Sequence, residues 1–216
     1  MKKLLSYLYP MTREIATEKN GIVRLTYHLG KKLLGTKNAN YSYGSLQRIL
    51  KYGLEKIDLR KIESILLLGL GGGSVIETLR EDFGYIEKIT AIEIDEMIIE
   101  IAQDEFSLGS DKNLEIIHDD AIEFVARTER KFDLIIIDIF IDTLVPESVY
   151  RVEFWQGIYS MTHSDGYILW NASMSHTKNF SLSALLPELE KYFHIEIYER
   201  VRGTNTLIIG KKLEKK

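Results

Sequence analysis

The sequence predicts an α/β protein: a doubly wound, mostly parallel seven-stranded sheet, closed by an antiparallel C-terminal hairpin and preceded by a small N-terminal β-hairpin/helix extension. Three observations carry this expectation. From Glu63 onward, short apolar runs alternate with amphipathic stretches, the pattern of parallel strands covered by helices on both faces. The first run, Ile65-Leu66-Leu67-Leu68, leads straight into Gly69-Leu70-Gly71-Gly72-Gly73-Ser74. Such a turn, bare of side chains, lets a ligand approach the backbone at a helix N-terminus. The last two strand-like runs stand too close together for a helix to lie between them, so they pair antiparallel.

In chain order, residues 1–62 read as the extension and 63–216 as the domain that carries the sheet. Ile22 to Leu34 reads as a hairpin turning near Leu29-Gly30-Lys31. Ser45 to Ile57 reads as an amphipathic helix, with Leu46, Leu50, Leu54 and Ile57 at helical spacing. The extension holds too few apolar residues to build a core alone. Strands follow at 65–68, 89–94, 114–117, 134–137 and 167–170, separated by helices near 73–82, 96–106, 121–128 and 149–161. The hairpin joins Phe193 to Arg200 with Asn205 to Gly210 across Arg202-Gly203-Thr204, and Lys211 to Lys216 reads as a solvated tail.

The chain has 216 residues, 45% hydrophobic and 28% charged, which suits one globular domain with an appendage. It contains no cysteine, which rules out disulfides, thiolate metal sites and a cysteine nucleophile and fits a cytoplasmic address. No apolar stretch approaches the roughly 20 residues of a membrane span, and Leu4 to Met11 is too short and polar for a secretory segment. The five histidines show no metal-ligand spacing, so no metal is expected. His118, at a strand end, reads as structural, and His176 as a candidate general base in a substrate loop. A P-loop lysine and a Gly-x-Ser-x-Gly elbow are both absent, which argues against nucleotide hydrolysis and serine esterase chemistry.

The net charge of −4 conceals a split: 13 Lys+Arg against 4 Asp+Glu in residues 1–62, and 15 against 28 in residues 63–216. Because the basic residues are scattered, the expected arrangement packs the extension against an acidic body. A basic face for an anionic partner is the competing reading, with nucleic acid disfavoured.

A glycine-rich turn alone is a weak signal. Glu93, twenty residues beyond Gly73 at the end of the next apolar run, strengthens it. A carboxylate there can accept hydrogen bonds from both ribose hydroxyls of a nucleoside. Asp120 and Asp138 fall at further strand ends, where ligands of open parallel sheets bind.

Four blocks stand in order: Leu67 to Ser74, Ala91-Ile92-Glu93-Ile94-Asp95, His118-Asp119-Asp120-Ala121-Ile122-Glu123-Phe124, and Phe132 to Asp138. Glu153-Phe154-Trp155 and Ser164 to Leu169 follow. Over about residues 41–171 this pattern resembles the spermidine synthase family and its methyltransferase-like branch. Five parallel strands closed by a hairpin likewise resemble the Rossmann-like class I methyltransferase fold. The resemblance implies that Gly69, Gly71, Gly73, Glu93, Ile94 and Asp95 hold the adenosyl cofactor, with Glu93 on the ribose and Asp95 bordering the adenosine. It implies that Asp120 accepts from the adenine amino group with the Ala121 amide facing the ring, and that Gln47 reaches the cofactor carboxylate. Asp138 and Tyr43 become the catalytic candidates. Asp138, also counted with the cofactor set, would orient and deprotonate the acceptor, with Phe140, Trp170 and Asn171 lining its pocket.

The departures from the family pattern are Gly72 where spermidine synthases carry a loop acid, Leu67 where many methyltransferases carry one, Gly44 where a histidine follows the tyrosine, and Asp138-Ile139-Phe140-Ile141-Asp142 where two small polar residues are usual. They favour transfer of a methyl group from S-adenosylmethionine. The alternatives are aminopropyl transfer from decarboxylated S-adenosylmethionine and a non-catalytic adenosyl-binding protein. A nicotinamide dehydrogenase stands further off, since Ser74 replaces the third fingerprint glycine or alanine. The expected partner is a small-molecule or protein acceptor, a cationic amine being one candidate, with no membrane and with homo-oligomerisation open.

Overall fold

The structure, a computed structural model, describes residues 6–37, 40–42, 45–172 and 182–214. Four antiparallel strands come first: β1 (Met11–Thr17), β2 (Gly21–His28), β3 (Lys31–Gly35) and β4 (Asn40–Ser42), lying side by side in chain order. The expected hairpin is β2–β3, closed between His28 and Lys31. β1 was not foreseen. Its sequence shows no apolar alternation, and every one of its side chains keeps some exposure.

Seven strands form the large sheet: β5 (Ser64–Leu68), β6 (Lys88–Glu93), β7 (Leu114–His118), β8 (Phe132–Ile137), β9 (Thr162–Asn171), β10 (Phe193–Val201) and β11 (Asn205–Lys212). Their order is β10-β11-β9-β8-β5-β6-β7. β5 to β9 run parallel, and β11 enters antiparallel between β9 and β10. The chain winds outward from β5 through β6 to β7, then returns to β8 on the other side of β5. That reversal opens a crevice beyond the carboxyl ends of β5, β6 and β8.

Strand side chains alternate between two apolar layers, as a period of two requires. Leu66, Leu68, Ile135, Ile137, Ile168, Trp170 and Ile208 share one core with α4 (Ala121–Arg127), α5 (Val152–Met161) and α6 (Leu182–Leu189). Ile65, Leu67, Leu134, Ile136, Leu169, Leu207 and Ile209 share the other with α1 (Ser45–Leu54), α2 (Ser74–Glu77) and α3 (Glu96–Glu105). α2 runs on into a π turn over Thr78–Asp82. α1 presses close to the sheet at Gly53, where a Cβ would overlap Leu169.

Several expectations need correction. α5 begins at Val152, since residues 147–150 form a 3-10 turn after Pro146. α6 was missed, although Leu182, Leu185 and Leu189 repeat at helical spacing and are buried. Trp170 does not line a pocket: it is fully buried beneath α5, 4.9 Å from Trp155 and 5.7 Å from Tyr150, ring to ring. The tail from Lys211 is partly strand. Lys212 Nζ donates to the Tyr159 and Thr162 carbonyls at 2.7 and 2.6 Å, closing the C-terminal end of α5 with a cation.

The split in charge resolves into contacts between the sheets. Glu105 on α3 receives Tyr27 Oη at 2.6 Å and Lys32 Nζ at 3.1 Å, with Arg13 at 3.5 Å. Lys51 pairs with Asp82. Beneath them, Val23 and Leu34 pack on Ile98 and Ile101. The basic segment therefore lies against the acidic body. Among the described residues no helix is long and apolar enough to cross a membrane.

Candidate functional site

The site grows from the glycine loop. At Gly69, φ is +94°, and a Cβ would overlap the Asp138 carbonyl oxygen. The exits of β5 and β8 therefore touch, backbone to backbone. Gly71 and Gly73 also take positive φ, and Gly73 caps α2. Gly72 is buried but does not occupy that left-handed region.

Glu93 closes the loop from below. Its Oε2 accepts from the Leu70 and Gly71 amides at 3.1 and 3.3 Å, and its Oε1 from the Asp95 amide at 3.1 Å. Burial lifts its proton affinity above the ordinary carboxylate range, while the three amides oppose that rise. An ionised carboxylate offers about four lone-pair directions, so three amides leave room for a further donor. Ile94, beside it, is 37% exposed and offers an apolar face to the crevice. His118 contacts the Ile94 carbonyl at 3.0 Å.

Asp95 sits differently from the expectation. It is 1% exposed and caps α3 by accepting from the Met97 amide at 3.2 Å. Its Oδ2 accepts from the Lys19 amide, the Asn20 amide and Asn20 Nδ2 at 3.1, 3.1 and 2.9 Å. Burial raises its proton affinity, but the bonds from Thr17, Lys19 and Asn20 outweigh that and hold it below the usual range. Its side chain is thus committed to the β1–β2 turn, and only its backbone meets Glu93. Asp120 caps α4, its Oδ1 accepting from the Ile122 amide at 2.7 Å; among the described residues no donor reaches its Oδ2. Ala121, half-buried, opens α4.

Asp138 stands at the carboxyl end of β8. Its Oδ1 accepts from Asn171 Nδ2 at 2.8 Å. Burial raises its pKa from 3.8 to about 6, against the pull of that one amide. Asn171 is 0% exposed, and its Oδ1 in turn accepts from Asn205 Nδ2 at 2.8 Å. Asn205 was missed by sequence reasoning, because nothing in Thr204-Asn205-Thr206 signals that β11 inserts beside β9. Phe140 is half-buried against the α5 layer.

Gln47 lies on α1 and donates to Thr78 Oγ1 at 3.2 Å and Glu77 Oε2 at 3.4 Å, so its amide is directed at α2. Tyr43 and His176 lie outside the described residues. The structure thus gathers Gly69 to Gly73, Glu93, Ile94, Asp120, Ala121 and Asp138 at one end of the sheet and turns the Asp95 side chain away from it.

A family model for the spermine/spermidine synthase domain matches residues 46–207. A polyamine aminopropyltransferase from Clostridium beijerinckii is 31% identical over 113 residues, covering 50% of this chain and 39% of that protein. Such matches span 33–55% of the length of the curated relatives. Human methyltransferase-like protein 13, solved in complex with SAH, superimposes with a TM-score of 0.60 at 20% identity, covering 79% of this chain and 81% of that one. Spermidine synthase from Thermotoga maritima superimposes with a TM-score of 0.58 at 19% identity, covering 94% and 74%. At these identities the two structures attest the expected fold and nothing finer. The family match is of another kind, because it runs through the glycine loop, Glu93, Asp120 and Asp138 alike: this chain belongs to the spermine/spermidine synthase family.

Proposed function

We propose that this protein moves an aminopropyl group from decarboxylated S-adenosylmethionine to an amine. The observation that carries the reading is Asp138, a half-buried carboxylate at the switch point whose pKa burial raises to about 6 and which has, among the described residues, a single hydrogen-bond donor. The sequence alone favoured methyl transfer. The curated relatives are named polyamine aminopropyltransferases, and the methyltransferase likeness is one of fold, so support shifts to the alternative. The name belongs to those relatives; here it supports a proposal.

The donor's sulfonium supplies an activated carbon and a neutral thioether leaving group. The chain's own residues have the remaining work. The glycine loop and Glu93 hold the nucleoside by its ribose, Ile94 covers one face of the base, and Asp120 with the Ala121 amide reads its edge. Asp138 holds the acceptor ammonium and takes its proton as the amine attacks in line. The C–N bond forms, the C–S bond breaks, and the electron pair stays on sulfur.

A second reading, methyl transfer from S-adenosylmethionine, rests on one observation. Decarboxylation leaves the donor's arm as a lone ammonium, and the loop offers it no acid. Gly72 has no side chain, and Leu67 is buried and apolar.

Calorimetry with S-adenosylmethionine, its decarboxylated form, methylthioadenosine and NAD, followed by product analysis with putrescine, decides between them. We expect the decarboxylated donor to bind at least as tightly as its parent and to give an aminopropylated product. A methylated product with a preference for the parent donor replaces this reading with the second. Binding without transfer of either group defeats both.

A further inference from the structure

We infer that Asn205 and Asn171 form a two-amide relay that turns over with the protonation of Asp138, making Asn205 a positioning residue for that carboxylate. This rests on Asp138 being the acceptor-side carboxylate proposed above. In the structure Asn205 Nδ2 donates to Asn171 Oδ1, and Asn171 Nδ2 donates to Asp138 Oδ1, both at 2.8 Å. This orientation suits an ionised Asp138, which can only accept. A protonated Asp138 carries a donor instead. If the Asn171 amide then reverses, its oxygen accepts from Asp138 and its nitrogen donates to Asn205. Asn171 is 0% exposed, where an unpaired oxygen or N–H is costly. Asn205 removes that cost in both orientations, since an asparagine can donate or accept. Asp138 can therefore take up a proton with both links of the Asn205–Asn171–Asp138 chain still made.

Among the described residues, the other titratable groups at this end of the sheet are Glu93, held by three amides, Asp95, held by the β1–β2 turn, His118 at the Ile94 carbonyl, Asp119 beside Arg127, Asp120 capping α4, Asp142, which accepts from Thr36, and Glu199, Arg200 and Arg202 at the β10–β11 turn. Among the described residues the strands flanking Asp138, β5 and β9, end beside it on Leu68 and Asn171, neither of them charged. Its raised pKa has burial as its cause and the Asn171 amide as the opposing influence. Tyr43 and His176 lie outside the described residues.

The test needs neither donor nor acceptor. Its outcome is thus separate from that of the proposed reaction. In the ligand-free full-length chain, carbon-detected NMR follows the Asp138 carboxyl through pH 4–8 while the side-chain amides of Asn171 and Asn205 are recorded. The relay requires both amides to shift with the Asp138 midpoint, although Asn205 does not touch Asp138. Asn205→Asp supplies only an acceptor and holds the Asn171 amide reversed. The Asp138 midpoint should then rise by about one unit or more. In an Asn171→Ala background the same change should move it little, whereas charge acting through space would persist. An Asn205 amide indifferent to the Asp138 titration overturns the relay. So does a folded Asn205→Asp protein with an unmoved midpoint. Should that variant fail to fold, the titration of the natural chain decides alone.

Discussion

At the carboxyl end of β6, Glu93 meets three backbone amides and Asp95 meets four N–H donors. At the carboxyl end of β8, Asp138 meets one side-chain amide. The two regions flank the same strand, β5, yet the carboxylates of the first are buried and that of the second is half-buried, and they are bonded differently. Fixed backbone dipoles around Glu93 define where a hydroxyl donor can approach and leave the group little else to do. Sparse bonding plus burial leaves Asp138 with a proton affinity close to neutrality, which suits a group that must change protonation state during a reaction. Under the proposed function, one side of the crevice holds the donor and the other exchanges a proton.

Four substitutions, and the pH profile of the natural protein, sharpen or break that contrast. Asp138→Asn should reduce turnover by roughly 10²-fold or more with donor affinity within a few-fold. The same variant should melt higher at pH 7. A carboxyl whose pKa is about 6 folded and 3.8 unfolded contributes stability that is full below the unfolded value and lost as pH rises through the folded one. At pH 7 this amounts to about 3 kcal/mol of forgone stability, and the gap between variant and natural protein should close near pH 4. Turnover of the natural enzyme should climb through about pH 6 as the base ionises. Simultaneous loss of turnover and stability in the variant would contradict the assignment of Asp138 to proton exchange.

Next in size, Glu93→Ala should weaken adenosyl-ligand binding more than about tenfold and lower stability, because the Leu70, Gly71 and Asp95 amides lose their acceptor. Charged-acceptor hydrogen bonds of this kind are worth about 2–4 kcal/mol together. Isothermal titration with unchanged affinity removes Glu93 from the ribose. Gly72→Asp should move preference toward the decarboxylated donor by about 1–2 kcal/mol. The backbone there does not require glycine's left-handed conformation. An unaltered preference ratio means that the donor's ammonium lies elsewhere. Asp120→Asn should have the smallest effect, a few-fold loss of adenosine affinity, since Oδ1 still caps α4. If guanosine analogues compete as well as adenosine analogues, Asp120 does not read the base.

Much of the holding side is legible in the sequence because its parts are consecutive. A strand, a glycine turn, a helix and a second strand follow one another, and the spacing from Gly73 to Glu93 is set by that unit alone. The proton-exchange side is assembled from β8, β9 and β11, and its polar contacts join residues 33 and 34 positions apart. Asn205 looks like any polar residue after a turn, and only the insertion of β11 beside β9 gives it a role. Reading Trp170 and Asn171 together as pocket residues overlooked the strand period, which sends neighbours to opposite faces. The resemblance placed Asp95 beside the adenosine with Glu93, yet its side chain answers to the β1–β2 turn, and β1 has no apolar alternation to announce it. α6 carries Pro187 within it, yet the leucine spacing around that proline is helical.

The position of β11 also bears on the order in which this molecule can be completed. β10 is synthesised before β11, yet among the described residues its one neighbour in the sheet is β11. While the ribosome is still adding residues 205–212, β10 has nowhere to dock, and Phe193 and Val201, both buried at the end, lack their final surroundings. A nascent chain at that stage carries an unpaired strand beside the open edge of β9, a combination prone to association with other chains. Over the same interval Asn171 is without Asn205. The chain from Asp138 through Asn171 to Asn205 is therefore completed only when β11 slides between its two neighbours, so that chain and protection from aggregation arrive in a single event.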